Sequence, residues 1–447
     1  MKKAALHNLG CKVNAYETAA MQEMLEKAGY EVMPFEEGAD LYIINTCTVT
    51  NIADRKSRQM LHRARKMNPD AVVVACGCYV QAQADKNHPI DPCVDIVIGN
   101  NQKNELLHIL EQYERRKEED QIRQVVDIHH TDEYEDLHLT KPGEYTRGYI
   151  KVQDGCNRFC SYCIIPYARG RVRSRELQSV IEEVKELAEN GYQEVVLTGI
   201  HLSSYGIDFS KNTQTREGSS RSDLRQDNLL RLIQAVHEVD GIVRIRLGSL
   251  EPRAVTERFV REASMLPKLC PHFHLSLQSG CDATLKRMNR KYTAEEYYEK
   301  CGLLRKYFGN PALTTDVIVG FPGETEEEYA ASYAFVDKVN FYETHIFKYS
   351  KREGTKAAAM EGQIPESVKA ERSRQMIELG KRKQAAYERS FFGKDVDVLV
   401  EERTVIDGKM YQTGYTKEYI KIALDEEESL QNCIRTIRIV NDSQIIH

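Results

Sequence analysis

Short apolar runs at residues 4–9, 41–45 and 71–75 have the character of strands, and each is followed by turn-forming residues. Helix-period patterns at 15–28 and 53–67 lie between them. Strands alternating with helices predict an open parallel α/β sheet, whose carboxyl edge is where such sheets bind ligands. Residues 112–146 break the pattern. They are rich in Glu, Asp, Lys, Arg and His with little apolar periodicity, and read as a surface linker.

From residue 149 the rhythm resumes. Six strand-like runs, at 149–152, 194–197, 243–247, 273–277, 313–319 and 344–349, alternate with helical patterns such as 177–190 and 325–339. Six units instead of eight predict a partial (β/α)6 barrel, open on one side. The polar stretch 209–223 reads as a disordered surface insertion. A basic helical segment at 366–389 leads into β runs at 396–400, 419–423 and 434–440, which predict a small carboxyl-terminal β-barrel. The α/β chain thus divides into an amino-terminal domain (1–112), a linker (113–145), a barrel core (146–373) and a carboxyl-terminal module with its leading helix (374–447).

The cysteines add chemistry to this plan. Cys156, Cys160 and Cys163, in GCNRFCSYC, put three thiolates within eight residues. A 4Fe-4S cluster normally takes four thiolates, so a triplet leaves one iron open to react. A zinc knuckle closed by a distant Cys or His is the competing reading, but such sites usually show two Cys-x2-Cys-type pairs. A second set is dispersed: Cys11, Cys47 and either Cys76 or Cys78 follow the first three strands, so three more thiolates converge at the sheet's carboxyl edge. Spacing alone does not separate Cys76 from Cys78. Cys93, Cys270, Cys281, Cys301 and Cys433 read as small buried hydrophobes.

Composition narrows the class. A chain of 447 residues exceeds one ordinary core. With 12 cysteines, a mean hydropathy of -0.54, no secretory signal and no bilayer-length apolar run, a reducing cytoplasmic location is expected. The net charge of -6 does not mark a nucleic-acid binder. Local charge does: residues 54–66 hold six Lys and Arg against one Asp, and Arg169, Arg171, Arg173 and Arg175 alternate so that an extended chain would present them on one face to phosphates. A solvated charged surface is the plainer alternative for both runs. Residues 391–447, by contrast, carry seven Lys and Arg against eleven Asp and Glu, which opposes RNA binding.

LGCKVN, NTCTVT and GCYVQ, followed by the Cys-x3-Cys-x2-Cys triplet, resemble the methylthiotransferase family of radical S-adenosylmethionine enzymes over essentially the whole chain. Within it, LGCKVN and NTCTVT resemble the branch acting on N6-threonylcarbamoyladenosine at position 37 of tRNA, next to the anticodon. The resemblance selects Cys78 over Cys76. It implies two 4Fe-4S clusters, one on Cys11, Cys47 and Cys78, the other on Cys156, Cys160 and Cys163 with S-adenosylmethionine at its open iron. Thr198 and Gly199 would approach the methionyl amino group, and residues 316–324, including Gly320, would help hold the adenosine. Arg246 and Gln278 join the cofactor-binding candidates, each equally suited to packing or capping. The implied reaction begins with radical removal of hydrogen from C2 of the adenine, a strong, non-acidic C–H bond beyond general-base catalysis.

The implied partners are tRNA, a reductant and a sulfur donor, the last two of unspecified identity. Lys12 is the candidate partner of the threonine carboxylate, and Arg169 and Arg171 are candidate tRNA contacts. The carboxyl-terminal module resembles the RNA-binding TRAM barrel, with Tyr411, Tyr415 and Tyr419 as candidate stacking platforms; a docking role for the catalytic core competes with this. Rival functions are methylthiolation of isopentenyladenosine tRNA or of a ribosomal protein, and a non-catalytic iron-sulfur electron carrier or RNA-binding protein.

Overall fold

The computed structural model describes residues 1–83, 91–116, 121–140, 146–209, 221–425 and 430–447. Among them, six parallel strands build the first sheet: β1 (Lys3–Asn8), β2 (Glu31–Met33), β3 (Leu41–Thr46), β4 (Val72–Gly77), β5 (Ile96–Ile98) and β6 (Ile122–Gln124), in the order β2-β1-β3-β4-β5-β6. Both faces are apolar. Tyr42, Ile44, Val73 and Ala75 pack on one side and Ile43, Val74, Ile96 and Ile98 on the other, the two-sided burial expected of a parallel sheet covered by helices. Helices α1 (Lys12–Lys27), α2 (Asn51–Met67), α3 (Cys78–Gln83) and α4 (Leu106–Arg116) follow strands of this sheet.

The sheet extends beyond the expected boundary at residue 112. β6 pairs with β5 as an edge strand, and behind it Ile128, Leu137 and Leu139 are buried. These apolar residues stand singly among charged ones. They therefore leave no periodic signal, yet each finds a place in the core. Strands β2, β5 and β6 are only three residues long, too short to be read from pattern.

All six barrel strands lie where the pattern puts them: β7 (Arg147–Asp154), β9 (Glu194–Gly199), β10 (Arg244–Leu247), β11 (His272–His274), β12 (Ala312–Val319) and β13 (Glu343–Lys348), with a two-residue strand β8 (Arg173–Ser174) added antiparallel to β7. They form two arcs, β10-β9-β7-β8 and β11-β12-β13. Alternate side chains of each strand, among them Ile150, Val152, Leu197, Ile245, Phe273 and Val317, enter the core beneath the helices. The intervening residues, including Tyr149, Thr198, Arg246, His274 and Asp316, therefore face the lumen. Of the expected 209–223 insertion, residues 210–220 lie outside the described residues.

Helix Glu366–Arg389 leads into a four-stranded antiparallel sheet of β14 (Asp395–Ile406), β15 (Lys409–Tyr415), β16 (Lys421–Leu424) and β17 (Ile434–Arg438), ordered β16-β15-β14-β17. This module docks on the barrel at the strand beginnings. Arg244 donates to the carbonyls of Tyr415 (2.8 Å) and Asp397 (2.7 Å), and Arg147 pairs with Glu401 at 2.7 Å. Tyr419 stacks on Tyr415 and on His272, with ring centroids 4.5 and 5.0 Å apart. Tyr415 and Tyr419 are thereby engaged in the interface instead of being offered to bases.

Candidate active site

The amino-terminal thiols come together because three parallel strands end side by side. Cys11 caps α1, Cys47 lies between β3 and α2, and Cys78 opens α3 directly after β4. Cys11 and Cys78 thus sit at helix starts, and Cys47 on the turn that leads into α2. Gly10, at φ +110°, lies so close that an added Cβ would stand 3.0 Å from the Cys47 sulfur. Asn14 clamps the same edge by donating to the carbonyls of Leu9 (2.8 Å) and Thr46 (3.0 Å). Cys76, by contrast, is the last side chain before the turn at Gly77. It is wholly buried in the sheet, its thiol donates to the Ile44 carbonyl (3.6 Å), and burial pushes its pKa up to about 12. The turn at Gly77 is what separates the two: Cys76 points into the core, whereas Cys78 faces Arg169 from the barrel, whose Nε donates to its Sγ at 3.2 Å.

The other triad occupies one continuous loop at the end of β7. Gly155 starts it at φ +71°, where a Cβ would meet the Arg171 carbonyl oxygen at 1.8 Å, so a side chain is excluded. The Cys156 N–H donates to the Gly170 carbonyl and the Cys163 N–H to the Cys160 carbonyl, both at 3.0 Å. The loop's Ser161 N–H donates across the barrel to the Met288 carbonyl (3.0 Å), and from the same side Arg290 Nη1 donates to Cys160 Sγ (3.3 Å). Burial raises the Cys47 and Cys156 thiols to about 11 and Cys163 to about 12, and neighbouring thiols of the same triad add to the rise. Buried thiols that raise one another in this way suit a cationic metal centre, which stabilises them as thiolates.

The triads are tied to each other. Helix α5 (Ile165–Arg169) follows Cys163 and packs against α3, with Asn100 donating to the Ala168 carbonyl at 2.7 Å. Arg169, fully buried, donates to Cys78, to Asn14 Oδ1 (2.6 Å), to both oxygens of Glu17 (2.7 and 3.0 Å) and to Asp154. Lys151 also bridges Glu17 and Asp154, at 2.9 Å each, and Lys103 lies 3.2 Å from Glu17. Burial opposes charge on Glu17, but Arg169, Lys103 and Lys151 hold its carboxyl well below the usual carboxylate range. With Arg173 and Glu135 the network holds four cations and three carboxylates, a positive surplus beside the Cys78 sulfur.

This burial revises the reading of the arginine run. Arg169, Arg173 and Arg175 are buried and engaged with carboxylates, because the chain turns through α5 and β8 instead of staying extended; Arg171 alone of the four is exposed, its guanidinium 5.1 Å from the Phe159 ring. Arg246 likewise leaves the cofactor-binding set. It pairs with Glu194 (2.6 Å) and donates to the carbonyls of Thr416 (2.6 Å) and Lys417 (2.8 Å), fastening the carboxyl-terminal module.

Other candidates cluster around the barrel's carboxyl end. Thr198 is buried at the end of β9, followed by Gly199. Gln278 sits at φ +72° and exchanges backbone hydrogen bonds with β12, and Gly320, at φ +69°, donates its N–H to Glu324 (3.0 Å). Lys12 reaches toward Tyr149, 5.9 Å from its ring, and among the described residues it makes no ion pair. Burial, with Arg147 and Arg246, lowers its pKa. The basic helix α2 keeps Arg55, Lys56, Arg58, Arg63 and Lys66 exposed, while Arg352 from the barrel bonds Asp54 (2.8 Å), Asn51 and Thr48 (2.7 Å each) at its start. Sequence reading did not identify Asn14, Glu17 or Arg290, whose partners lie far along the chain.

An open barrel with a thiol triad at its strand ends, backed by a second triad on a parallel sheet, defines an iron-sulfur enzyme of the radical type. The model of the Radical SAM superfamily matches residues 150–336, and that of the uncharacterized protein family UPF0004 matches 3–99. Across 443 residues the chain is 40% identical to the threonylcarbamoyladenosine tRNA methylthiotransferase MtaB of Bacillus subtilis (strain 168), covering 98% of this chain and 94% of that one. It is 36% identical over 438 residues to the tRNA-2-methylthio-N(6)-dimethylallyladenosine synthase of Moorella thermoacetica, covering 96% and 94%. The radical S-adenosylmethionine methyltransferase TsrM of Kitasatospora setae shares the fold, with a TM-score of 0.52 at 17% identity over 78% of this chain and 72% of that one. The chain belongs to the methylthiotransferase family of radical S-adenosylmethionine enzymes.

Proposed function

We propose that this enzyme converts N6-threonylcarbamoyladenosine, beside the anticodon of tRNA, to its 2-methylthio derivative. The carrying observation is the pair of three-thiol sites, tied through Arg169 and set at the mouth of one barrel. Likeness over nearly the full length to MtaB of Bacillus subtilis and of Aquifex aeolicus, the latter 38% identical over 435 residues, supports the substrate. Cys156, Cys160 and Cys163 would hold one 4Fe-4S cluster and Cys11, Cys47 and Cys78 the other. With S-adenosylmethionine, these cofactors supply the radical and the sulfur that no side chain can.

The protein's own residues do the rest. Arg290 and Arg169 each aim an N–H at one sulfur of a triad, orienting it and offsetting its charge. Thr198, Gly199, Gln278 and Gly320 stand at the carboxyl end of the barrel, where they would meet S-adenosylmethionine. The exposed cations of α2, held against the barrel by Arg352, and exposed Arg171 offer phosphate contacts at the same rim. Lys12, next to Cys11 and without an ion pair among the described residues, meets the threonine carboxylate.

The test is anaerobic turnover of the cluster-reconstituted enzyme on tRNA carrying threonylcarbamoyladenosine, with nucleosides read by mass spectrometry. A methylthio product is expected. Equal conversion of isopentenyladenosine tRNA would overturn the substrate assignment. Lys12→Met should lower kcat/KM for the threonylcarbamoyl substrate by about tenfold or more, the loss of one charge-assisted contact of ~1.5 to 3 kcal/mol; an unchanged value removes Lys12 from recognition.

A further inference from the structure

Three side chains of the barrel strands meet where only one of them, Asp316 at the start of the 316–324 stretch, has been given a role. His274, Asp316 and His345 stand on adjacent parallel strands β11, β12 and β13, and their ligand atoms all lie within 4.8 Å of one another. Strand register dictates the meeting. Asp316 and His345 are direct cross-strand partners, and His274 pairs with Thr314, two residues before Asp316 on the same face. The imidazole of His274 is fixed at both ends, Nδ1 at 3.0 Å from Thr314 Oγ1 and Nε2 at 3.2 Å from Asp316 Oδ2. It stacks on His345 with ring centroids 5.7 Å apart, and His345 remains exposed.

A packed core would fill these positions with branched aliphatics. Here they carry two imidazoles and a carboxylate facing a lumen whose other walls hold Lys12, Tyr149 and His272. Asp316 and His345 lie within β12 and β13 and His274 closes β11, so the constellation stands on the strands and not on the loop that carries Cys156, Cys160 and Cys163. A base whose C2 is presented to those triads has its N6 substituent on the far side of N1, turned away from them. That substituent would therefore extend into the lumen.

We infer that His274, Asp316 and His345 form the subsite for the threonyl part of the N6 substituent, exposed His345 donating to its carboxylate, Asp316 accepting from its hydroxyl, and His274, anchored on Thr314, positioning the Asp316 carboxylate. The inference rests on the substrate reading above and adds the residues that recognise it. The chemistry matches group for group. A threonine moiety offers one anion and one hydroxyl, and a site with the His345 donor beside the Asp316 acceptor answers both. An isopentenyl group offers no hydrogen-bonding atom, so these polar side chains would lose water without compensation.

The test compares binding of the anaerobic holoenzyme to anticodon stem-loops that do or do not carry the threonylcarbamoyl group. The wild-type protein should bind the modified stem-loop about tenfold or more tightly. His345→Phe and His274→Gln should each erase most of that preference, while His345→Asn, which keeps a donor, should restore part of it. Retention of the full preference in both His345→Phe and His274→Gln, with thermal melting unchanged, would overturn the subsite. So would a divalent ion beyond the cluster iron that is lost in His345→Phe, which would make the constellation a metal site. If the wild-type protein shows no preference, the subsite also falls; turnover of threonylcarbamoyl tRNA by that same preparation then decides separately whether the substrate reading survives.

Discussion

The two thiol triads reach similar ends by different routes. The barrel triad is local: one loop of eight residues, started by a glycine that tolerates no side chain and held in place by Arg290 and the Met288 carbonyl. The sheet triad is assembled from three strand ends separated by tens of residues, and its cysteines meet only once β1, β3 and β4 are in register. A local site depends on its loop, whereas a dispersed one depends on the whole sheet and on whatever holds the sheet against the barrel. Here that hold is the buried network around Glu17 and Arg169.

The sharpest way to break the comparison is to remove one ligand from each side. Cys160→Ala should abolish both cleavage of S-adenosylmethionine and product, whereas Cys47→Ala should keep cleavage and lose sulfur insertion, as read by chromatography of 5′-deoxyadenosine and of nucleosides. Loss of cleavage in Cys47→Ala with the barrel cluster intact would show that the triads are not separable. In a parallel iron and sulfide determination, normal cluster content in Cys78→Ala would transfer the ligand role to Cys76.

The next largest effect should come from the network. Glu17→Gln leaves Arg169, Lys151 and Lys103 short of a buried counter-charge, which costs about 3 to 5 kcal/mol. Because the folded carboxyl titrates below its unfolded value of about 4.3, its stabilisation is full above that pH and lost as pH falls toward the lower folded value. Thermal melts on acidification should therefore fall more steeply for wild type than for Glu17→Gln in that window. Parallel profiles would remove Glu17 from the acid response.

Gly155→Ala should act on the barrel triad alone, forcing the loop from the Arg171 carbonyl at a cost on the order of 1 to 3 kcal/mol. The expected signature is a lower yield of the barrel cluster with the sheet cluster preserved, by Mössbauer spectroscopy. The smallest effect belongs to Arg290→Gln. Losing its N–H donation to Cys160 should disfavour the more negative reduced cluster and lower its potential, measured by redox titration. A potential at or above wild type would show that the contact has no electronic role.

The same contrast governs what could be read before any coordinates. The six barrel strands and the Cys156 loop are local patterns, fully visible in the order of residues. The sheet triad was visible once strands were placed, but Cys76 and Cys78 differ only by which side of the Gly77 turn they occupy, and spacing carries no such information. Arg169 looked like a surface cation and Arg246 like a cofactor-binding or packing residue because their partners, Glu17 and Asp154 for one and Glu194 and Thr416 for the other, are set by tertiary contacts. His274 and His345 were missed for the same reason, and Asp316 was read only as the start of the 316–324 stretch implied to hold the adenosine. Strand register brings them together, and nothing in their separation along the chain announces it.

The Glu17 network also bears on how such proteins can be recombined. Its carboxylate comes from the sheet domain, whereas Lys151, Asp154 and Arg169 come from the barrel. A chimera that joins this sheet to another barrel inherits half of a charge balance, and the grafted Glu17 would be buried opposite whatever the new host supplies. Exchange of the two halves therefore succeeds only when Asn14 and Glu17 travel with partners able to receive them, which makes domain and barrel a single unit of inheritance.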